Sequence, residues 1–193
     1  NSFAGTLNYC CTTPAPSSGG GNITNEPLFV NYSATNLHLH ASSSCINAGR
    51  NAYALASTDL DGTPRISGMR VDIGAYELQN PPSVLSYAWA QQYGIPTDGA
   101  ADYADPDPDG LDNRQESLCL TDPANDASAL LVVSATPATT NVIVAWQSVA
   151  GLTYFLQRST NLAMSSLWAP VATNRTGKEG TTSYTHTNAT SSN

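Results

Sequence analysis

A chain of 193 residues suffices for one large domain or for two to three small ones, and this one is poor in charge, at 11%, but rich in Gly, Pro, Ser, Thr and Asn. That balance favours turn-rich β structure over helix. The formal net charge of -8 argues against nucleic acid or an anionic membrane surface as a partner, since both demand clustered Lys and Arg.

Residues 1 to about 80 hold short apolar runs separated by turn formers: Leu28-Phe29-Val30, Leu37-His38-Leu39-His40, Ile66 and Val71-Asp72-Ile73. These are too short for helices and read as strands. Alternation in Asn36 to His40 puts Leu37 and Leu39 on one face and His38 and His40 on the other. Pro14 to Gly21 is a Pro/Ser/Gly loop.

From Val84 to Gly94 the spacing of Leu85, Trp89 and Tyr93 predicts a short helix with one apolar stripe, which Gly94 ends. An acidic loop follows. A second short helix is expected across Asn113 to Leu120, stopped by Thr121-Asp122-Pro123. Beyond Ala129, strand-like runs at Leu130 to Ser134, Val142 to Trp146, Tyr154 to Gln157, Trp168 to Ala172 and Thr182 to Thr185 have the turn spacing of a β-sandwich. An immunoglobulin- or fibronectin-like sandwich usually needs about seven strands, so residues 129–193 are expected to form an incomplete one.

The acidic loop carries the clearest chemistry. Nine of the fifteen acidic residues fall between Asp98 and Asp126, where Arg114 is the only base. Within it, Asp105 to Glu116 satisfies the calcium-loop pattern D-x-[DN]-x-[DN]-G-x5-E without a gap. Calcium is a hard ion that takes about six to eight oxygens. Asp105, Asp107 and Asp109 supply alternate carboxylates, Leu111 its backbone carbonyl, Asn113 a direct or water-mediated oxygen, and Glu116 a closing pair of oxygens. Zinc is disfavoured for want of nearby His or Cys. Pro108 departs from the pattern: loops of this kind favour a residue tolerant of positive φ at their fourth position, and proline is held near -65°. Asp102, Asp112 and Asp122 are reserve ligands.

Several motifs together resemble a known family. Asp59-Leu60-Asp61-Gly62-Thr63-Pro64-Arg65-Ile66 followed by Val71-Asp72-Ile73-Gly74-Ala75-Tyr76-Glu77 is similar to the final turns of secreted bacterial right-handed parallel β-helix proteins of the choice-of-anchor Q group. Cys11-Thr12-Thr13-Pro14, Gly21-Asn22-Ile23, Pro27-Leu28-Phe29 and Cys45-Ile46-Asn47-Ala48-Gly49 match it in the same order. The stretch Trp89 to Asn125 resembles the calcium-binding linkers, of thrombospondin type 3 or dockerin kind, that follow such β-helices. Val142 to Trp146 with Gly151 to Leu162 looks like their terminal sandwich domains. The resemblance implies a mainly β chain: last coils and cap of a β-helix over 1–80, a helical linker with the calcium loop over 81–128, and a sandwich over 129–193. It also implies a Cys11–Cys45 disulfide, with Cys10 and Cys119 left over.

The expected function is that of a non-catalytic structural or adhesive module, extracellular or on the cell surface, rigidified by calcium and joined to a polysaccharide or cell-surface ligand. Asp61, Arg65, Asp72 and Glu77 are expected to cap the last coil. Two other readings stand beside this one. The chain is a fragment of a polysaccharide lyase or hydrolase, Arg65 handling an acidic sugar and Trp146, Tyr154 or Trp168 stacking on sugars, or it is a fibre subunit self-associating through open β edges. Four cysteines without C-x-x-C spacing point to disulfides in an oxidising compartment. No run of about 18 apolar residues predicts a membrane span, and the chain reads as a piece of a larger protein. Common hydrolase and nucleotide-binding signatures are absent from it.

Overall fold

The computed structural model describes residues 5–161 and 168–189; Leu162 lies outside them. The described chain is mainly β. Its elements in order are β1 (Phe29–Asn31), β2 (Asn36–Leu39), α1 (Tyr87–Gln92), α2 (Asn113–Cys119), β3 (Val132–Ala138), β4 (Asn141–Ser148), β5 (Thr153–Arg158), β6 (Ala169–Thr176) and β7 (Gly180–His186), with two 3-10 turns in the first part. All its ladders are antiparallel. Among the described residues the parallel pairing is one isolated bridge, Cys11 with Ile23. No described helix is long and apolar enough to cross a membrane.

Two compact units divide the chain, Asn1–Ala127 and Ser128–Asn193. The first has little ladder, because side chains rather than neighbouring strands satisfy much of its backbone. Asn47 and Leu78 donate their backbone N–H groups to the two oxygens of Asp72, at 2.8 Å each. Val71 N–H donates to Asn51 Oδ1 at 2.8 Å, and Glu77 N–H to Asp59 Oδ2 at 3.0 Å. Asp59 Oδ1 also accepts from Asp61 and Thr63. The turn carboxylates thus take the place of neighbouring strands as partners for this backbone.

Leu39, Cys45, Ile46 and Tyr87 form one core cluster, against which Cys11, Ile23, Phe29, Ile73 and Leu78 pack. Leu85, Trp89 and Ala90 form a second, with Tyr93, Ile95 and Leu120. Fully burying a side chain such as Leu85 stabilises by about 1.5–3 kcal/mol. The expected stripe is therefore present, with the Trp89 and Tyr93 rings 5.2 Å apart. The helix itself begins later than Val84. Backbone N–H groups of Val84, Leu85, Ser86 and Tyr87 go instead to Asp102, Ser83 Oγ, Ser117 Oγ and the Ile46 carbonyl, so the chain enters α1 already tied to three other segments.

Of residues 81–128, expected as a linker, those up to Ala127 fall in the same compact unit as residues 1–80. The ties are specific. Asn47 Nδ2 donates to the Ser83 carbonyl at 3.0 Å, and Gln91 Nε2 to the Ser42 carbonyl at 3.0 Å. Tyr87 of α1 also packs on Leu39, Cys45 and Ile46 of the preceding segment.

In the second unit β3-β4-β7 form one sheet and β5-β6 another. Each of the five runs expected beyond Ala129 contributes one strand. In β4, the alternation that predicts a half-buried strand places Trp146 and Ser148 inward. Trp146 is 5% exposed, and its ring lies 5.9 Å from that of Tyr154 on the other sheet. This is core packing, not a sugar platform. Trp168 by contrast is 41% exposed.

Candidate metal centre

The acidic loop is built by the segment that leads into α2. Asp112 caps that helix: its Oδ1 accepts from the Gln115 N–H at 2.8 Å while Gln115 Oε1 accepts from the Asp112 N–H at 2.9 Å. This reciprocal pair fixes the first turn, and with it Asn113 and Glu116. The helix closes at Leu120, which adopts a left-handed conformation at φ 57°, one residue before the expected stop. Turn bonds shape the rest of the loop, Asp105 Oδ2 accepting from Gly110 N–H and Asp109 Oδ1 from Leu111 N–H.

This geometry brings Asp105, Asp107 and Asp109 together, each presenting a carboxylate oxygen within 4.8 Å of the others. Asn113 and Glu116 stand behind them, 1% and 0% exposed. Five buried oxygens in this set have no hydrogen-bond partner: both of Asp107, Oδ2 of Asp109, Oδ1 of Asn113 and Oε2 of Glu116. Asn113 Nδ2 donates to the Ala101 carbonyl, which orients its amide, and Glu116 Oε1 accepts from Thr121 Oγ1 at 3.2 Å. Burying an unsatisfied polar group costs about 1–3 kcal/mol, so the concentration of such groups at one place calls for a counterpart. Burial first, and then the charges of Asp107, Asp109 and Asp105, push the Glu116 carboxyl up to about 7.

No protein cation among the described residues fills that role. Arg114 lies over the Tyr103 ring at 5.8 Å and reaches Asp112, at 3.9 Å, rather than the clustered carboxylates. The reserve ligands are also accounted for in part: Asp102 accepts from Ser83 Oγ and Val84 N–H, and Asp112 is the helix cap. Asp122 accepts the Ala124 N–H.

Pro108 has φ 29°, in the left-handed region, and Gly110 has φ 93°. The loop thus places proline under strain, at a φ far from the value its ring prefers. Replacing Pro108→Gly is expected to relieve it and tighten cation binding several-fold. Calorimetric titration with calcium checks this, and equal affinities would show that the bound loop does not use positive φ at this position.

The second polar cluster sits at the end of the Asp59 to Glu77 run. Arg65 Nη1 donates to Glu77 Oε2 at 2.7 Å, and Nη2 to the Gly74 carbonyl at 2.7 Å. Glu77 further accepts from Ser67 and Asp72 N–H groups. Of the four expected cap residues, Arg65, Asp72 and Glu77 join this network. Asp61 does not: it pairs with His38 Nε2 at 2.6 Å, and the His38 ring stacks on Tyr76 at 3.9 Å. His40 lies past the end of β2 and bonds Ser42, so the two histidines serve separate partners.

All four cysteines are free thiols, and the Cys11–Cys45 bond implied by the resemblance is not made. The two are nonetheless neighbours: burial, and then Cys11, push the Cys45 thiol up to about 12. Cys11 Sγ donates to the Asn25 carbonyl at 3.1 Å.

Comparison of the chain with protein families, with curated proteins and with solved structures found no match.

Proposed function

We propose that the loop Asp105 to Glu116 binds calcium and that the chain is a non-catalytic, calcium-stabilised module of an extracellular or cell-surface protein. One observation carries this reading: five buried, unpartnered oxygens converge on the residues of a complete calcium-loop pattern. Together with Asp105 and the Leu111 carbonyl they approach the roughly six to eight oxygens that calcium takes. An all-oxygen set favours a hard cation, and so many protein ligands favour calcium over magnesium, which keeps several waters.

Residues 1–80 are the terminal coils and cap of a right-handed parallel β-helix in this reading, supported by the Cys11–Ile23 parallel bridge and by the Arg65–Glu77–Asp72 network closing the run. Residues 129–193 act as an immunoglobulin- or fibronectin-like sandwich, supported by the two antiparallel sheets and the Trp146–Tyr154 contact. The ion then works within the first unit, holding α2 and the acidic loop in place, rather than stiffening a tether.

Thermal unfolding in EGTA and in calcium tests the claim. At a hundred times Kd the ion should stabilise by about 2.7 kcal/mol, with magnesium giving much less. Identical melting with and without calcium removes the proposal.

A further inference from the structure

Away from the acidic loop, the first unit contains a cavity of about 590 Å³. That lies within the roughly 300–1,000 Å³ of small-ligand sites. Its charge is the reverse of the chain's. The described residues lining it include no carboxylate and one cation, Arg70, in a protein of net charge -8.

Arg70 is held but not neutralised. Its Nε donates to the Gly49 carbonyl at 3.0 Å, its Nη1 approaches the Ser117 carbonyl at 3.5 Å, and its guanidinium carbon is 5.7 Å from the Tyr9 ring centroid. No acidic side chain among the described residues forms an ion pair with it. Burial first, and then the nearby Arg50, disfavour its charge, while the Tyr9 side chain favours it. A guanidinium offers paired N–H donors in a plane that matches a carboxylate.

The rest of the lining is neutral and suits hydroxyl groups. Tyr93 is half-buried among the lining residues, and the exposed amides of Asn25 and Gln92 offer donors and acceptors, while the Gln91 amide is tied to the Ser42 carbonyl. Aromatic faces pack against the apolar faces of sugar rings, while amides bond their hydroxyls. We propose that this pocket binds an acidic sugar, the carboxylate of a uronic acid unit on Arg70, its ring against Tyr93 and its hydroxyls on Asn25 and Gln92.

Calorimetric titration with three short oligosaccharides of equal length tests this: a galacturonate trimer, a neutral galactose trimer and a sulfated galactose trimer. The galacturonate trimer should bind at least about tenfold more tightly than the other two, and Arg70→Gln should remove that preference. Because Arg70 also bonds backbone carbonyls, the double variant Asn25→Ala/Gln92→Ala provides a second reading at exposed positions and should weaken the galacturonate trimer severalfold. Absence of binding, equal binding of the neutral or sulfated trimer, an undiminished preference in folded Arg70→Gln, or undiminished galacturonate affinity in the folded double variant overturns the proposal. None of the proposed calcium ligands lines the pocket, so a calcium titration of the same variants keeps the two readings apart.

Discussion

Replacing Glu116→Gln is expected to shift stability in opposite directions with and without calcium. Burial and the charges of Asp107, Asp109 and Asp105 raise the Glu116 carboxyl to about 7, so without metal its ionised form is disfavoured in the folded state. An acid whose folded pKa is raised stabilises the protein when protonated, and that contribution is lost as pH rises through the folded value. At pH 8 and in EGTA, a neutral glutamine should therefore raise stability by about 1 kcal/mol, or a few degrees in Tm. In calcium the same change removes one ligand oxygen and the charge it carries, and most of the ion's stabilisation should vanish. Paired melts of the two proteins in EGTA and in calcium decide it. A Glu116→Gln variant that keeps the full calcium-induced rise would show that the ion sits elsewhere.

Arg65→Met should be the most damaging single change, and its cost should depend on pH. Arg65 bonds the Glu77 carboxylate and the Asp72 backbone carbonyl, and its charge favours the ionised form of both side chains, which are 5% and 2% exposed. Burial raises Asp72 to about 6; burial and then the Asp72 charge raise Glu77 to about 7. Both values exceed those of the unfolded chain, so the folded state takes up protons between about pH 4 and 7 and loses stability as pH rises through that window. Removing the guanidinium leaves uncompensated buried charge, costing about 3–5 kcal/mol at pH 8, with much of the loss recovered at pH 5 where the carboxyls are protonated. Urea unfolding followed by tryptophan fluorescence, in a Glu116→Gln background so that Glu116 does not titrate, measures the difference. An equal loss at both pH values would mean that Arg65 acts through packing alone.

Much of the secondary structure follows from short-range patterns. The four-residue spacing of Leu85, Trp89 and Tyr93 places α1, and the β-period in Val142 to Trp146 places β4. Boundaries drift where a distant group competes for the backbone, as at Val84, whose N–H is taken by Asp102. The clustered Asp105, Asp107 and Asp109 can be named from the loop pattern because all three lie within one short stretch of sequence. What the pattern leaves out is the support. Asp102 and Asp59 appear in the sequence as two more acids in a turn-rich chain, yet Asp102 accepts from Ser83 Oγ and Val84 N–H, and Asp59 from three backbone N–H groups. Arg70 is equally inconspicuous, since a pocket whose walls come from residues as far apart as Tyr9 and Leu120 has no local signature. Asp61, grouped with Arg65 by proximity along the chain, pairs instead with His38, a residue 23 positions earlier.

The first unit is held together by side chains gripping the main chain, and this constrains how its sequence can drift. A paired strand can slide by two residues and find equivalent partners, whatever its side chains are. Asp72, grasping Asn47 with one oxygen and Leu78 with the other, has no such second choice. Exchange of a few aspartates and asparagines for lysine or serine, harmless on an ordinary surface, would here undo the scaffold as surely as hollowing out its oily centre.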